Sequence, residues 1–74
     1  MPTNSDMYRN IEAERARKGL TIKELTDALG LKEEKTYRNW RDSGKDLSSA
    51  VLIKMSEIFD CSVDYLLGLS TTIR

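Results

Sequence analysis

Lys35, Thr36, Arg38, Asn39 and Arg41 interleave with Tyr37 and Trp40 in the segment from Glu33 to Asp42. Tyr37 and Trp40 are its only large apolar residues and stand three apart, so on a helix they mark one narrow inward face. They are read as core anchors rather than as stacking platforms. The remaining positions carry cations and hydrogen-bond donors, and a short helix held by two aromatics presents that outer face to a partner. The rest of the chain offers little to acid–base or metal chemistry. It has no histidine and one cysteine, Cys61, which excludes an internal disulfide and a Cys-cluster zinc site. Asp60 and Asp64 recur at helical spacing as an acidic surface, without a defined acid–base pair. Cys61, between Phe59 and Val63, reads as a buried thiol. These residues predict a binding protein rather than an enzyme, with no metal and no cofactor.

The elements that position this face are helical throughout. At 74 residues the chain makes one small domain. Gly-Leu follows an amphipathic stretch at Gly19-Leu20, Gly30-Leu31 and Gly68-Leu69, which predicts helices ending near Lys18, Leu29 and Leu67. The first helix is expected from about Asp6 to Lys18, with Tyr8, Ile11 and Ala16 inward and Arg15, Arg17 and Lys18 favouring its C-terminal end. Thr21-Ile22-Lys23-Glu24 is a capping box that opens the second helix, with Leu20 and Leu25 as a staple and Ile22, Leu25, Ala28 and Leu29 as its apolar stripe. Glu33 and Glu34 suit the first turn of the third helix, where acids complement the helix dipole, and Ser43-Gly44-Lys45-Asp46 ends it. Ser48 or Ser49 caps a fourth helix carrying Val51, Leu52, Met55, Ile58 and Phe59. Ser62 caps a short fifth one with Val63, Leu66 and Leu67 inside. The fold class is all-α, a compact five-helix bundle.

Twelve basic residues balance twelve acidic ones, yet they are unevenly spread. Residues 1–31 are neutral, residues 32–45 carry a net +2 and residues 46–74 a net −2, so the middle of the chain is its electropositive part. No apolar run is long enough to cross a bilayer, and the N-terminal residues Met1 to Asp6 are polar, which predicts a cytoplasmic protein with no membrane partner.

Gly30-Leu31-Lys32 makes only a short turn between the second and third helices, the arrangement of a helix-turn-helix, in which the second helix of the pair protrudes. The stretches Arg15-Ala16-Arg17-Lys18-Gly19-Leu20-Thr21, Lys23-Glu24-Leu25, Ala28-Leu29-Gly30-Leu31 and Thr36-Tyr37-Arg38-Asn39-Trp40, closed by Phe59-Asp60-Cys61-Ser62-Val63-Asp64-Tyr65-Leu66-Leu67-Gly68, resemble the Cro/repressor-type (XRE) helix-turn-helix family. The resemblance covers about residues 7–69, leaving a polar arm at 1–6 and a short tail at 70–74. It implies a lambda repressor-like fold and a bacterial, phage-like transcription regulator, a repressor that binds double-stranded operator DNA as a homodimer on an inverted repeat.

The same resemblance places the base-reading positions on Glu34, Lys35, Thr36, Arg38 and Asn39. Lys35 and Arg38 can donate to guanine O6 and N7, Asn39 can pair with adenine N6 and N7, and Glu34 can accept from cytosine N4. The implied phosphate contacts are Thr21 and Lys23 at the start of the second helix, and Arg41, Ser43, Gly44 and Lys45 after the third. Where the family carries an acid after the Trp40 position, this chain has Arg41, left to a phosphate or to Glu12 or Glu14. Tyr65, Leu69 and Ile73 form the expected dimer surface. The zero net charge and the acids at the start of the third helix keep a second reading open: a module on the same fold that binds another regulatory protein, such as an antirepressor or co-repressor.

Overall fold

The computed structural model describes residues 3–69, which form five helices and no strand. Helix α1 spans Asn4–Arg17, α2 Ile22–Leu29, α3 Glu34–Ser43, α4 Ser49–Phe59 and α5 Val63–Leu67. The expected all-α architecture is the one observed.

Local capping chemistry accounts for most helix starts. Thr21 Oγ1 accepts from the Glu24 amide at 3.0 Å, and Glu24 Oε1 accepts from the Thr21 amide at 2.9 Å, completing the capping box read from the sequence. Ser48 and Ser62 cap α4 and α5 through the amides of Val51 and Tyr65. A second capping box starts α1: Thr3 Oγ1 accepts from the Asp6 amide, and the Thr3 amide donates to Asp6 at 3.0 Å. Residues 4–6, expected to belong to a polar arm, therefore make the first turn of α1. Helix α3 begins and ends one residue later than expected, and its N-cap, Glu33, makes no side-chain capping bond.

The helix ends follow the glycines. At the end of α2 the Leu31 amide donates to the Thr26 carbonyl at 2.9 Å and the Gly30 amide to Asp27 at 3.1 Å, a Schellman closure around Gly30 at φ 77°. The same pattern closes α4 without a glycine. Asp60 takes φ 54° there, and the Cys61 amide reaches the Ser56 carbonyl at 3.0 Å. Asparagine and aspartate are the residues other than glycine that tolerate this region best.

The core comprises Met7, Tyr8, Ile11, Leu25, Tyr37, Leu52, Met55, Phe59, Cys61 and Leu66. Helix α5 packs on α1 and α4, while α2 packs on α3 and α4. Two expected inward residues, Ala16 and Ala28, are exposed; their places on the buried stripes are taken by Glu14 and Thr26. The α1 stripe runs Met7, Tyr8, Ile11, Glu14, and Ala16 lies off it. Burial of Glu14 is compensated by Arg17, whose Nη2 stands 2.6 Å from Glu14 Oε1 and also donates to the Phe59 carbonyl at 2.9 Å. Thr26 returns its hydroxyl proton to the Lys23 carbonyl at 2.8 Å. Cys61 is buried as expected, and desolvation pushes its thiol above the ordinary value, so it is protonated at neutral pH.

A Cβ added at Gly30 would meet no atom within 4 Å, so Gly30→Ala isolates the backbone cost of a left-handed residue. We expect about 1 kcal/mol of destabilisation in chemical denaturation, with a smaller loss for Gly30→Asn.

Candidate nucleic-acid interface

Helices α2 and α3 are joined by residues 30–33 and pack against one another. Tyr37 seats α3: its ring is fully buried, as the apolar spacing predicts. Trp40, the other expected anchor, is only half-buried at the edge of the core. With Tyr37 turned inward, at 100° per residue, Lys35 and Asn39 stand about 160° round the helix from it and Arg38 about 100°, whereas Glu34 lies only about 60° from it. Lys35, Arg38 and Asn39 are exposed, and Glu34 and Thr36 are half-buried. The structure therefore brings three of the five expected base-reading residues, Lys35, Arg38 and Asn39, onto one outer face and leaves Glu34 and Thr36 at its two borders. Arg38 Nη2 lies 3.6 Å from Glu34 Oε1, one turn back.

The expected phosphate contacts divide. Thr21 holds the N-terminus of α2, and Lys23 is exposed in a loose pair with Asp27 at 3.2 Å. Ser43 donates its hydroxyl proton to the Asn39 carbonyl at 2.7 Å and so closes on its own helix. The Gly44 amide donates to the Trp40 carbonyl, and the Lys45 amide reaches the same oxygen at 3.0 Å. Both amides thus cap the C-terminus of α3. The Lys45 side chain remains exposed.

Arg41 points inward, toward α1. Its Nη1 stands 2.9 Å from Glu12 Oε1, its Nε 3.5 Å from Asp42, and its guanidinium lies 6.0 Å from the centre of the Tyr37 ring. Of the alternatives left open for Arg41, the structure selects Glu12; Glu14 belongs to Arg17. Glu12 also accepts from Arg15 Nε at 2.9 Å and from the Tyr37 hydroxyl at 2.7 Å. Desolvation raises the pKa of Glu12, but the hydrogen bonds and charges of Arg15, Tyr37 and Arg41 outweigh it and hold the carboxyl below its ordinary 4.5. Desolvation, then Glu12 itself, pushes the Tyr37 hydroxyl well above its usual range, so it stays a donor.

Asn4 and Tyr8, which the sequence did not single out, anchor the segment after α3. Asn4 Nδ2 donates to the Gly44 carbonyl at 2.8 Å and to Asp46, and the Tyr8 hydroxyl donates to the Lys45 carbonyl at 2.7 Å. Separations of about 40 residues left no local signal for these bonds. Beside them an open cleft of about 270 Å³ is lined by Ser5, Tyr8, Arg9, Glu12 and Arg41. Arg9 is paired with Asp6 at 2.7 Å and Arg41 with Glu12, so the cleft is charge-compensated rather than built for an anion. No group of three metal-ligating side chains occurs among the described residues. No described helix is long and apolar enough to cross a membrane.

The expected dimer surface is partly represented. Leu69 is 64% exposed, Tyr65 is half-buried against the core, and Ile73 lies outside the described residues. Ile53 on α4, 51% exposed, is an outward apolar residue that the sequence reading did not name.

Because the folded-state pKa of Glu12 is depressed, its contribution to stability is present above pH 4.5 and is lost as pH falls through the lower folded value. Glu12→Gln should cost about 1.5–3 kcal/mol near neutral pH, the usual range for hydrogen bonds to charged groups. It should also flatten the acid limb of stability against pH, measured by denaturant titration from pH 7 down to pH 2.5.

No protein-family model, curated protein or solved structure matches this chain.

Proposed function

We propose that this chain is a sequence-specific transcription regulator, acting as a repressor, that binds double-stranded DNA through a helix-turn-helix formed by α2 and α3. The observation that carries the reading is the outer face of α3. Lys35, Arg38 and Asn39 stand exposed on one side of a helix whose other side is held by buried Tyr37 and the Glu12–Arg41 pair. A major groove accepts an α-helix, and these side-chain types match the donor and acceptor patterns of guanine and adenine edges there. Lys23 and Lys45, exposed on the flanking segments, are the proposed phosphate contacts, with the Thr21 hydroxyl at the start of α2.

One such helix reads only a few base pairs, so the proposed active form is a homodimer on a two-fold site, with Leu69 in the contact between copies. Such a regulator works beside the nucleoid in the bacterial cytoplasm, by binding and without catalysis. A second reading, a module that binds another regulatory protein, is favoured by the pairing of cations among the proposed DNA contacts. Arg38 is matched by Glu34 and Lys23 by Asp27, in a chain of zero net charge.

Binding-site selection from a random duplex library, at low and at moderate salt, separates the two. The DNA reading expects an enriched inverted repeat with half-sites about one helical turn apart, and binding that weakens steeply with salt. On that site Arg38→Ala should cost about 1–3 kcal/mol and relax one base position. Absence of an enriched sequence, or a consensus and affinity unmoved by Arg38→Ala, overturns the assignment.

A further inference from the structure

We propose that Asn4 and Tyr8 of α1 are positioning residues for the DNA interface: they fix the chain on both sides of Lys45 and so aim its ammonium at a phosphate. The inference rests on the DNA-reading proposal and names what makes one of its phosphate contacts effective. Two peptide groups flank the Cα of Lys45, and both are held. In the first, the Gly44 carbonyl accepts from Asn4 Nδ2 at 2.8 Å, while the Lys45 amide donates to the Trp40 carbonyl at 3.0 Å. In the second, the Lys45 carbonyl accepts from the Tyr8 hydroxyl at 2.7 Å. A peptide group is planar, so fixing both planes fixes the direction in which the Lys45 side chain leaves the backbone. Gly44, at φ 67°, is the flexible joint that these bonds lock.

The two donors are themselves held firmly. The ring of Tyr8 is in the core, and Asn4 lies in the first turn of α1, directly after the Thr3 cap. Burial, then the charge of Asp46, pushes the Tyr8 hydroxyl up to about 12, so it stays a donor at neutral pH. Charge pairing points the same way. Arg38, Arg41 and Lys23 are paired with Glu34, Glu12 and Asp27, whereas no ion pair engages Lys45 among the described residues. Asp46, the acid next to Lys45 in sequence, accepts from Asn4 Nδ2 instead. Asn4 therefore both holds the Gly44 carbonyl and occupies that carboxylate. An ammonium without a partner neutralises a phosphate without first giving one up, and a side chain on ordered backbone loses less freedom on binding.

The test measures binding of the full chain to the selected duplex and to an unrelated duplex by fluorescence anisotropy, across a salt series. The variants are Asn4→Ala with Tyr8→Phe in one chain, Lys45→Ala, and all three substitutions together, with folding of each checked by thermal unfolding. The paired substitution should weaken binding to both duplexes by the same factor and leave the selected consensus unchanged. It should lower the salt slope by about one, as Lys45→Ala does. Added to Lys45→Ala, it should cost nothing further, because the three residues act through one contact. If the paired substitution unfolds the chain, Tyr8→Phe alone, which keeps the buried ring and removes only the hydroxyl, is read in the same way. A loss that is equal with and without Lys45 assigns Asn4 and Tyr8 to the fold and overturns this inference alone. A salt slope unmoved by the paired substitution or by Lys45→Ala, in a chain that selects a site, does the same. A folded wild-type chain that selects no DNA overturns the DNA reading, and this inference with it.

Discussion

The position of α3 depends on one carboxylate. Glu12, on α1, accepts from the Tyr37 hydroxyl and the Arg41 guanidinium of α3 and from Arg15 on its own helix, all within 3 Å. A half-buried acid with one partner would be a liability, because desolvation opposes its charge. Here several charge-assisted donors converge on it, and the net effect is to stabilise the ionised form. Tyr37 is thus held at both ends, its ring in the core and its oxygen on α1. A short helix with a single fully buried side chain would otherwise be free to roll about its axis. Arg41 supplies the second point of attachment, about one turn further along the same face of the helix.

The segment leaving α3 is tied by the same principle, with backbone groups as the partners. The Trp40 carbonyl takes the amides of Gly44 and Lys45, and the carbonyls of those two residues take donors from Asn4 and Tyr8 on α1. Polar groups in a tight chain reversal must be satisfied, and in this molecule α1 satisfies them. The consequence is a division of labour at the proposed interface. Backbone amides of the loop are spent on the fold, and side chains, chiefly the ammonium of Lys45, remain for a partner. The cluster of Arg9, Glu12 and Arg41 beside the loop is likewise internally balanced.

Charge pairing recurs across the surface. Lys23 with Asp27, Arg38 with Glu34 and Arg9 with Asp6 are all exposed pairs at helical spacing. Each contributes little to folding in water. Together they leave a protein whose long-range field is weak and whose recognition, on the proposed reading, must come from contacts at close range. Tight non-specific adhesion to a polyanion is the behaviour such a surface suppresses.

Helix-capping chemistry and apolar spacing determined the elements. Thr21 and Glu24, Ser48, Ser62 and the Gly-Leu steps act within a few residues of themselves, so the sequence specified where helices start and stop without reference to the rest of the chain. The box at Thr3 and Asp6 was equally local, and only its place outside the apolar stripe hid it. The outer face of α3 was legible for the same reason: once Tyr37 is assigned to the core, helical geometry dictates what stands opposite. Tertiary structure decided everything that joins distant segments. Glu12 meets Arg41 across 29 positions, and Asn4 meets Gly44 across 40. Whether Glu14 or Ala16 is buried depends on what α4 and α5 place against α1, as does the burial of Arg17's partner beneath the end of α4. A side chain's neighbours along the helix follow from its number, whereas its neighbours across the core follow only from how the helices pack.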